Sequence, residues 1–299
     1  MIDLLEITPN TTEVAQLIQR DQSSVSRIYR QVSERLGLDF TKQSDGRYRA
    51  LANQQLLADL RRSSQGLRLQ QGPRSLRWVG TNWNQAIQSG DAGDLPAALE
   101  RRWFEDQRSR ELLEQRVLDL AVVQAIDLLP QACLKAPEGA APALQLGPLL
   151  VLPLVRYPMA IAAAPHHPLH RSKALGPEVF ARYPSVAGDV QSCPHSTPAL
   201  QALGLARTLL PVTGYSWQHW EGQCRDGRHL VASSPFSREA LKPHLDLQPL
   251  RYATGLIDAD VLLLQADLQQ HPAMARLIQA IRLAYRQRYD ALAGLEWLD

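Results

Sequence analysis

A small N-terminal helical unit with a β-hairpin, one long helix, and then an α/β layer structure to the end of the chain is the fold class that the sequence predicts. Three patterns predict it. Val25, Ile28, Val32 and Leu36 recur at spacings of three and four, the period of one helix face. Phe40 to Ala50, FTKQSDGRYRA, holds two short alternating runs about Ser44-Asp45-Gly46, the composition of a hairpin. From Ser75 onward, apolar strand-like runs alternate with helical patterns, which implies strands and helices packed in layers.

The totals bound what such a chain can be. Its 299 residues, 45% hydrophobic and 21% charged, suit a folded chain of about two domains and exclude the low-hydrophobicity class of disordered proteins. Cys133, Cys193 and Cys224 lie far apart with no CxxC pair, so neither a zinc ribbon nor a disulfide framework is expected. The N-terminal residues lack a basic segment followed by an apolar one, and no signal peptide is expected. The most apolar run, Leu146 to Val155, is interrupted by Pro148 and Pro153 and is too short to span a bilayer. Net charge is only +2, yet Arg20 to Gly72 carries ten Lys/Arg against five acidic residues. A local excess of this kind marks phosphate binding, although a solvated helix face gives the same count.

Thr11 or Thr12 can cap a first helix in which Val14, Ala15 and Ile18 share a face, because hydroxyl oxygens satisfy the free N–H groups of a first turn. Asp21 can start a second helix, closed by Gly37, with Gln22, Ser23, Ser26, Arg27, Arg30 and Gln31 on its polar face. Two short helices with a tight turn between them are the parts of a helix-turn-helix; an ordinary helical hairpin in a core fits the pattern equally well. The hairpin after them alternates Arg47 and Arg49 with Tyr48 and reads as a wing whose arginines reach backbone phosphate or a minor groove. A further helix is expected over Asn53 to Gln70. Leu56, Leu60 and Leu67 there form either a short coiled-coil seam or the packing face of a helix within its own domain. Gln71-Gly72-Pro73 follows as a linker.

The segment Leu17 to Gly37, LIQRDQSSVSRIYRQVSERLG, resembles the helix-turn-helix of the LysR-type transcriptional regulators without a gap, at Leu17, Gln22, Val25, Ser26, Arg27, Leu36 and Gly37, with Ala15 just before it. It departs from them where Asn10-Thr11-Thr12 replaces a glycine-aromatic entry and where Phe40-Thr41 stands for a Leu-Phe pair. The resemblance implies that Asp21 caps a recognition helix and that Gln22, Ser23, Ser26, Arg27 and Arg30 face the major groove, with Arg47 and Arg49 in the wing. It also implies dimerisation through Leu56, Leu60 and Leu67. The corresponding domains are 1–52 for a winged helix-turn-helix, 53–72 for the linker helix and 73–299 for an effector-binding part, its second lobe roughly 156–250.

In that last part, LRWVG at Leu76 to Gly80 and LDLAVV at Leu118 to Val123 resemble two strands of the family's effector domain. PHHPL at Pro165 to Leu169, GRHLVASSP at Gly227 to Pro235, and a closing helix over Pro272 to Tyr285 extend the likeness. The implied fold is a two-lobed α/β domain resembling type 2 periplasmic binding proteins, with a ligand cleft between the lobes. Thr81, Asn82, Gln124 and Ser233 are the implied effector-binding residues; satisfying loop backbone is an equal alternative for each, and Trp83 either stacks on a ligand or fills its lobe. Hydroxyl and amide donors suit a small polar or anionic metabolite.

His166, His167 and His170 lack a neighbouring carboxylate or cysteine, so no metal is expected. No cofactor site, nucleophile elbow or P-loop is visible either, and the chain is not read as an enzyme. The expectation is a sequence-specific DNA-binding transcription regulator modulated by a small-molecule effector. The alternatives are a degenerate regulator acting through protein contacts and a small-molecule-binding protein without DNA specificity. Expected partners are double-stranded DNA, the metabolite and a second copy of the chain, as homodimer or tetramer. RNA polymerase is a further candidate, no membrane is involved, and the expected compartment is the cytoplasm.

Overall fold

The computed structural model describes residues 3–8, 11–42, 48–84, 87, 95–99, 101, 106–133, 144–212 and 215–298. The chain opens with α1 (Leu4–Ile7), α2 (Thr11–Leu17) and α3 (Gln22–Leu36). Asp21 starts α3 as its chemistry requires: its carboxylate accepts from the Ser24 N–H at 2.7 Å, which occupies an otherwise free first-turn donor. The Ser23 hydroxyl and Ser24 hold that carboxyl well below the usual carboxylate range. Gly37 ends the helix in the left-handed region, φ 59°; a Cβ there would also stand 2.9 Å from the Asn53 amide, which donates to the Leu36 carbonyl at 2.8 Å.

The apolar stripe of α3 differs from the expected one in a single member. Val25 is fully buried, but Ile28 is 39% exposed. Tyr29, four residues after Val25, takes the inward place, with its ring edge-on to Phe40 at 5.6 Å. Strands β1 (Phe40–Lys42) and β2 (Tyr48–Ala50) pair antiparallel with Thr41 opposite Arg49. The turn between them, and Arg47 with it, lies outside the described residues.

Helix α4 (Gln54–Gln71) then runs from the hairpin to the rest of the chain. Its buried face is largely polar. Arg61, Gln65 and Arg68 are buried with Leu57 and Leu69, while Leu56, Leu60 and Leu67 are 39%, 42% and 60% exposed. The buried charges are paired. Arg61 donates to Asp3 at 3.0 Å and also to Glu6, and Arg77 reaches Asp3 at 3.1 Å. Asp119 accepts from Arg68 Nε at 2.8 Å and from Gln65 at 2.9 Å. Arg61 and Arg68, counted in the local basic excess of the sequence, are therefore internal ion pairs and not phosphate donors.

Beyond α4 the elements are β3 (Trp78–Val79), α5 (Asp106–Glu114), β4 (Leu120–Gln124), β5 (Leu144–Leu146), β6 (Leu149–Pro158), β7 (Ala160–Ala163), α6 (Pro177–Phe180), β8 (Val186–Gly188), α7 (Ser196–Ala202), β9 (Thr208–Leu210), β10 (Val231–Ser233), α8 (Pro235–Leu241), β11 (Gln248–Pro249), β12 (Ile257–Gln265), α9 (Pro272–Tyr289) and β13 (Glu296–Trp297). Strands β3 and β4 begin later than the apolar runs suggest. Pro73–Ser75 forms a 3-10 turn ahead of β3. Arg116 takes a positive φ of 59°, and the carboxylate of Asp119 is held by Arg68, so β4 starts only at Leu120.

The larger sheet has the order β13-β6-β12-β4-β3, with β5 added along β6. Its central strands carry apolar residues on both faces, as expected of a sheet covered on both sides. Ala121, Val123, Val261 and Leu263 face a core shared with α5 and with Leu5, Val14 and Val25 of the N-terminal helices. Leu120, Val122, Leu262 and Leu264 face Leu277, Ile281 and Tyr285 of α9. Pro153 sits inside β6, where it has no N–H to donate, and the register with β12 shifts at that point, between Asp260 and Val261, as a bulge allows.

The chain leaves the larger sheet after Pro158 and re-enters it at Ile257. Between these points β10, β7 and β11 form a second sheet, and β8 pairs with β9. The cleft lies where the two lobes meet.

Candidate functional site

Two surfaces carry the chemistry expected from the sequence. The first is the outer face of α3. Gln22, Ser23, Ser26, Arg27 and Arg30 line one shallow depression of about 340 Å³, so the structure brings these five side chains together. Gln22 is partly engaged: its amide donates to the Thr11 hydroxyl at 2.8 Å and to the Ser26 hydroxyl at 3.1 Å. Arg49 is not part of this depression. It stands 3.9 Å from Glu111 on α5 and at the edge of the second site.

That second site is a cavity of about 870 Å³ between the lobes, a volume suited to a small-molecule ligand. Gln124, at the end of β4, lines it as expected. The other three expected effector residues do not, and each displacement has a physical reason. Thr81 is 1% exposed and its hydroxyl accepts from Asn84 at 2.7 Å, inside the network beneath the cavity. Asn82 lies in the turn after β3, and the side chain that reaches the cavity is that of Trp83, one residue further on. Ser233 is buried against Arg238, which donates to its hydroxyl at 3.0 Å; Ser234, the cap of α8, faces the cavity instead.

Below the cavity, β12 supplies two buried carboxyls. Asp260 accepts from Tyr157 at 2.7 Å, Asn84 at 2.7 Å and Tyr285 at 3.0 Å. Asp258, which lines the cavity, accepts from the Ile126 N–H and from Gln124, each at 3.0 Å. Burial, reinforced by the charge of Asp260, pushes the Asp258 carboxyl up to about 7. Across the cavity, burial raises Glu221 to about 7, and its carboxyl accepts from the Tyr215 hydroxyl at 3.0 Å.

Among the contacts that join the lobes, which include Trp83 edge-on to Tyr215 at 5.9 Å, one sets a carboxylate on a helix. Asp127, just after β4, accepts from the His195 and Ser196 N–H groups, both at 2.8 Å, and from the Ser196 hydroxyl at 2.6 Å. A carboxylate from one lobe thus caps a helix of the other. Cys193 also lines the cavity, but burial, then Asp127, raises its thiol to about 12, far from the reactive thiolate range.

His167 of PHHPL, and His170 just after it, serve the backbone. His167 Nδ1 accepts from the Leu169 N–H at 3.2 Å, and His170 lies 3.1 Å from the Ala164 carbonyl. Among the described residues no group of three or more metal-ligating side chains is assembled, and no helix is long and apolar enough to cross a membrane.

No protein-family model and no curated protein matches the sequence. Solved structures do match the fold. A cysteine-to-aspartate mutant of full-length OxyR from Pseudomonas aeruginosa is 14% identical and superposes with a TM-score of 0.53 over 95% of this chain and 94% of its own. The regulatory domain of MetR, a LysR family regulator from N. meningitidis, is 14% identical and covers 75% of this chain and 98% of its own, with a TM-score of 0.50. The fold is that of a LysR-type regulator. A third match, a cysteine-to-serine mutant of OxyR from Corynebacterium glutamicum with hydrogen peroxide bound, is 13% identical, covers 98% of this chain and 95% of its own, and has a TM-score of 0.52. The match in fold therefore extends over most of the chain.

The carboxyls of the cavity were not among the residues expected from the sequence. Asp127 and Asp258 each follow or lie in an apolar strand run, AVVQAID and IDADVLLL, and an acid embedded in such a run was the available signal. Glu221 lies in a loop helix with no periodic pattern to mark it.

Proposed function

We propose that this chain is a sequence-specific, DNA-binding transcription regulator of the LysR type whose activity responds to a small molecule in the interlobe cavity. The observation that carries this reading is the outer face of α3. It is capped by Asp21, presents Gln22, Ser23, Ser26, Arg27 and Arg30 together, and sits in a chain that matches such a regulator in fold over 95% of its length. In this reading α2 and α3 form the helix-turn-helix, β1 and β2 the wing, residues 1–52 the DNA-binding domain, 53–72 the linker helix and 73–299 the effector part. Leu56, Leu60 and Leu67 then meet their counterparts in a second copy of the chain. The cytoplasm is the compartment such a role implies.

Chemistry assigns the contacts. An arginine pairs bidentately with guanine, and each such pair discriminates by about 1–3 kcal/mol, while an arginine on phosphate only positions the protein. Arg27→Ala is therefore expected to lose about 1–3 kcal/mol at the preferred site and to relax sequence preference there. Arg49→Ala is expected to weaken all sequences alike and to flatten the dependence of affinity on salt. Fluorescence anisotropy with matched and mismatched duplexes separates the two, and an unchanged affinity of the Arg27 variant would remove that side chain from base reading. The reading as a whole is tested by footprinting the full chain on its own upstream region at two salt concentrations. Absence of protection at low salt would sink it.

A further inference from the structure

Among the described residues the cavity's lining is unbalanced in charge: five carboxyl groups line it, from Asp106, Glu111, Asp127, Glu221 and Asp258, against the guanidinium groups of Arg49 and Arg108. Both cations already face carboxylates: Arg108 donates to Glu111 at 2.9 Å and to Glu6 at 3.4 Å, and Arg49 stands 3.9 Å from Glu111. Asp106 in turn takes Arg101 at 2.8 Å. Among the described residues no salt bridge reaches Asp127, Glu221 or Asp258; their hydrogen bonds come from neutral N–H and O–H groups.

Several of the donors that an anion would need are committed, although Gln107 and Gln191 also line the cavity and Arg108 Nε is buried without a hydrogen-bond partner among the described residues. The N–H groups of His195 and Ser196 and the Ser196 hydroxyl, which open toward the cleft at the start of α7, are held by the chain's own Asp127. The Gln124 amide is held by Asp258 at 3.0 Å. An entering carboxylate would therefore meet acceptors and negative charge. A cation would meet three carboxyl groups without a charged partner, together with the ring systems of Trp83 and Trp220, which also line the cavity and attract cations through their faces.

We infer that the ligand of this cavity is a small alkylammonium compound, a protonated amine held by Asp258 and Glu221 against the indole walls. This rests on the reading of the cavity as the effector site and puts a cation where the sequence led to the expectation of a small polar or anionic metabolite. A guest charge also changes the protonation of the site. Asp258, beside Asp260 and Cys133, and Glu221, beside Tyr215 and Cys224, are raised toward neutrality by burial, and an ammonium favours their ionised forms. Protons should leave as the amine enters.

The test uses the full chain and three matched probe sets: butylamine and 1,4-diaminobutane, butyrate and succinate, and neutral butyramide. Isothermal titration near pH 7 in two buffers of different ionisation enthalpy is expected to show the amines binding at least ten-fold tighter than the other sets, with release of protons. Glu221→Gln and Asp258→Asn, each checked for folding by circular dichroism, should each weaken amine binding ten-fold or more. If one variant does not fold, the other decides, and proton release by the parent chain stands as an independent readout. Amine binding that is unchanged in the folded variants, or that releases no protons, overturns the assignment. Binding of butyrate, succinate or butyramide in place of the amines overturns the ligand class alone and leaves the cavity as an effector site. Binding by none of the three sets counts against both.

Discussion

Replacing Asp119 by alanine is expected to lower the unfolding free energy by about 3–5 kcal/mol, the range seen when one partner of a buried ion pair is removed. Asp119 is fully buried. Its carboxylate accepts from Arg68 Nε and from a terminal nitrogen of Arg68, each at 2.8 Å, and from Gln65 at 2.9 Å. It also accepts from the Arg77 N–H at 2.7 Å. Alanine leaves a guanidinium with 8% side-chain exposure facing no carboxylate, and the desolvation of that charge then goes uncompensated. Asp119→Asn retains an acceptor but not the charge, so a smaller loss is expected. Urea denaturation followed by circular dichroism measures both. A loss below about 1 kcal/mol for the alanine variant would place the pair in the class of solvent-screened surface bridges and overturn the argument. The consequence reaches further than stability, because Asp119 fixes α4 to the larger sheet, and α4 is the element that carries the N-terminal helices.

The same helix shows where the sequence could be read and where it could not. Its span was legible, since the 3–4 spacing of Asn53, Leu56, Leu60, Ser63 and Leu67 and the Gly72-Pro73 stop place it to within a residue of Gln54–Gln71. Its orientation was not. An amphipathic pattern assigns leucines to the core, yet here Arg61, Gln65 and Arg68 face inward and the leucines face out. The cause lies in long-range partners, Asp3, Glu6 and Asp119, whose charges make a polar face buriable and which no local window contains. The short α1 escaped notice for a related reason. Four residues show no helical period, and α1 is held in place by Leu5 in the shared core and by the Arg61 and Arg108 contacts of Glu6.

In the N-terminal unit, local chemistry was enough. The Asp21 cap and the Gly37 stop fix α3 by interactions within a few residues, and only the choice between Ile28 and Tyr29 depended on a partner outside the helix, Phe40. The cavity was the hardest part to read. Gln124 sits at a strand end, a position that sequence pattern can mark, but Thr81, Asn82 and Ser233 each miss the cavity, while Trp83, next to Asn82, and Ser234, next to Ser233, line it. A strand end located to within a residue does not say which of two neighbouring side chains points inward. The carboxyl groups of the site come from separate lobes, Asp127 and Asp258 on one side and Glu221 on the other, so the cation we infer could be read only once the lobes were brought together.

The outward leucines lead to the other large expected effect. Leu60 and Leu67 are 42% and 60% exposed, so glutamate at both positions removes little internal packing and should leave the isolated chain folded. In the proposed dimer the same two changes place like charges against each other at the seam, where apolar burial is the driving force. The double variant Leu60→Glu/Leu67→Glu is expected to sediment as a monomer. Affinity for a duplex with two half-sites should then fall by about 10²–10⁴, the advantage gained when the second contact is intramolecular, whereas affinity for a single half-site should hardly change. Sedimentation velocity and anisotropy with the two duplexes give the three readings. A variant that remains dimeric would move the interface away from α4, and a monomer with undiminished affinity for the paired site would mean that each chain reads DNA alone. Equal losses on both duplexes would point instead to α4 acting through the placement of α3, the helix it anchors through the Asn53 bond to Leu36.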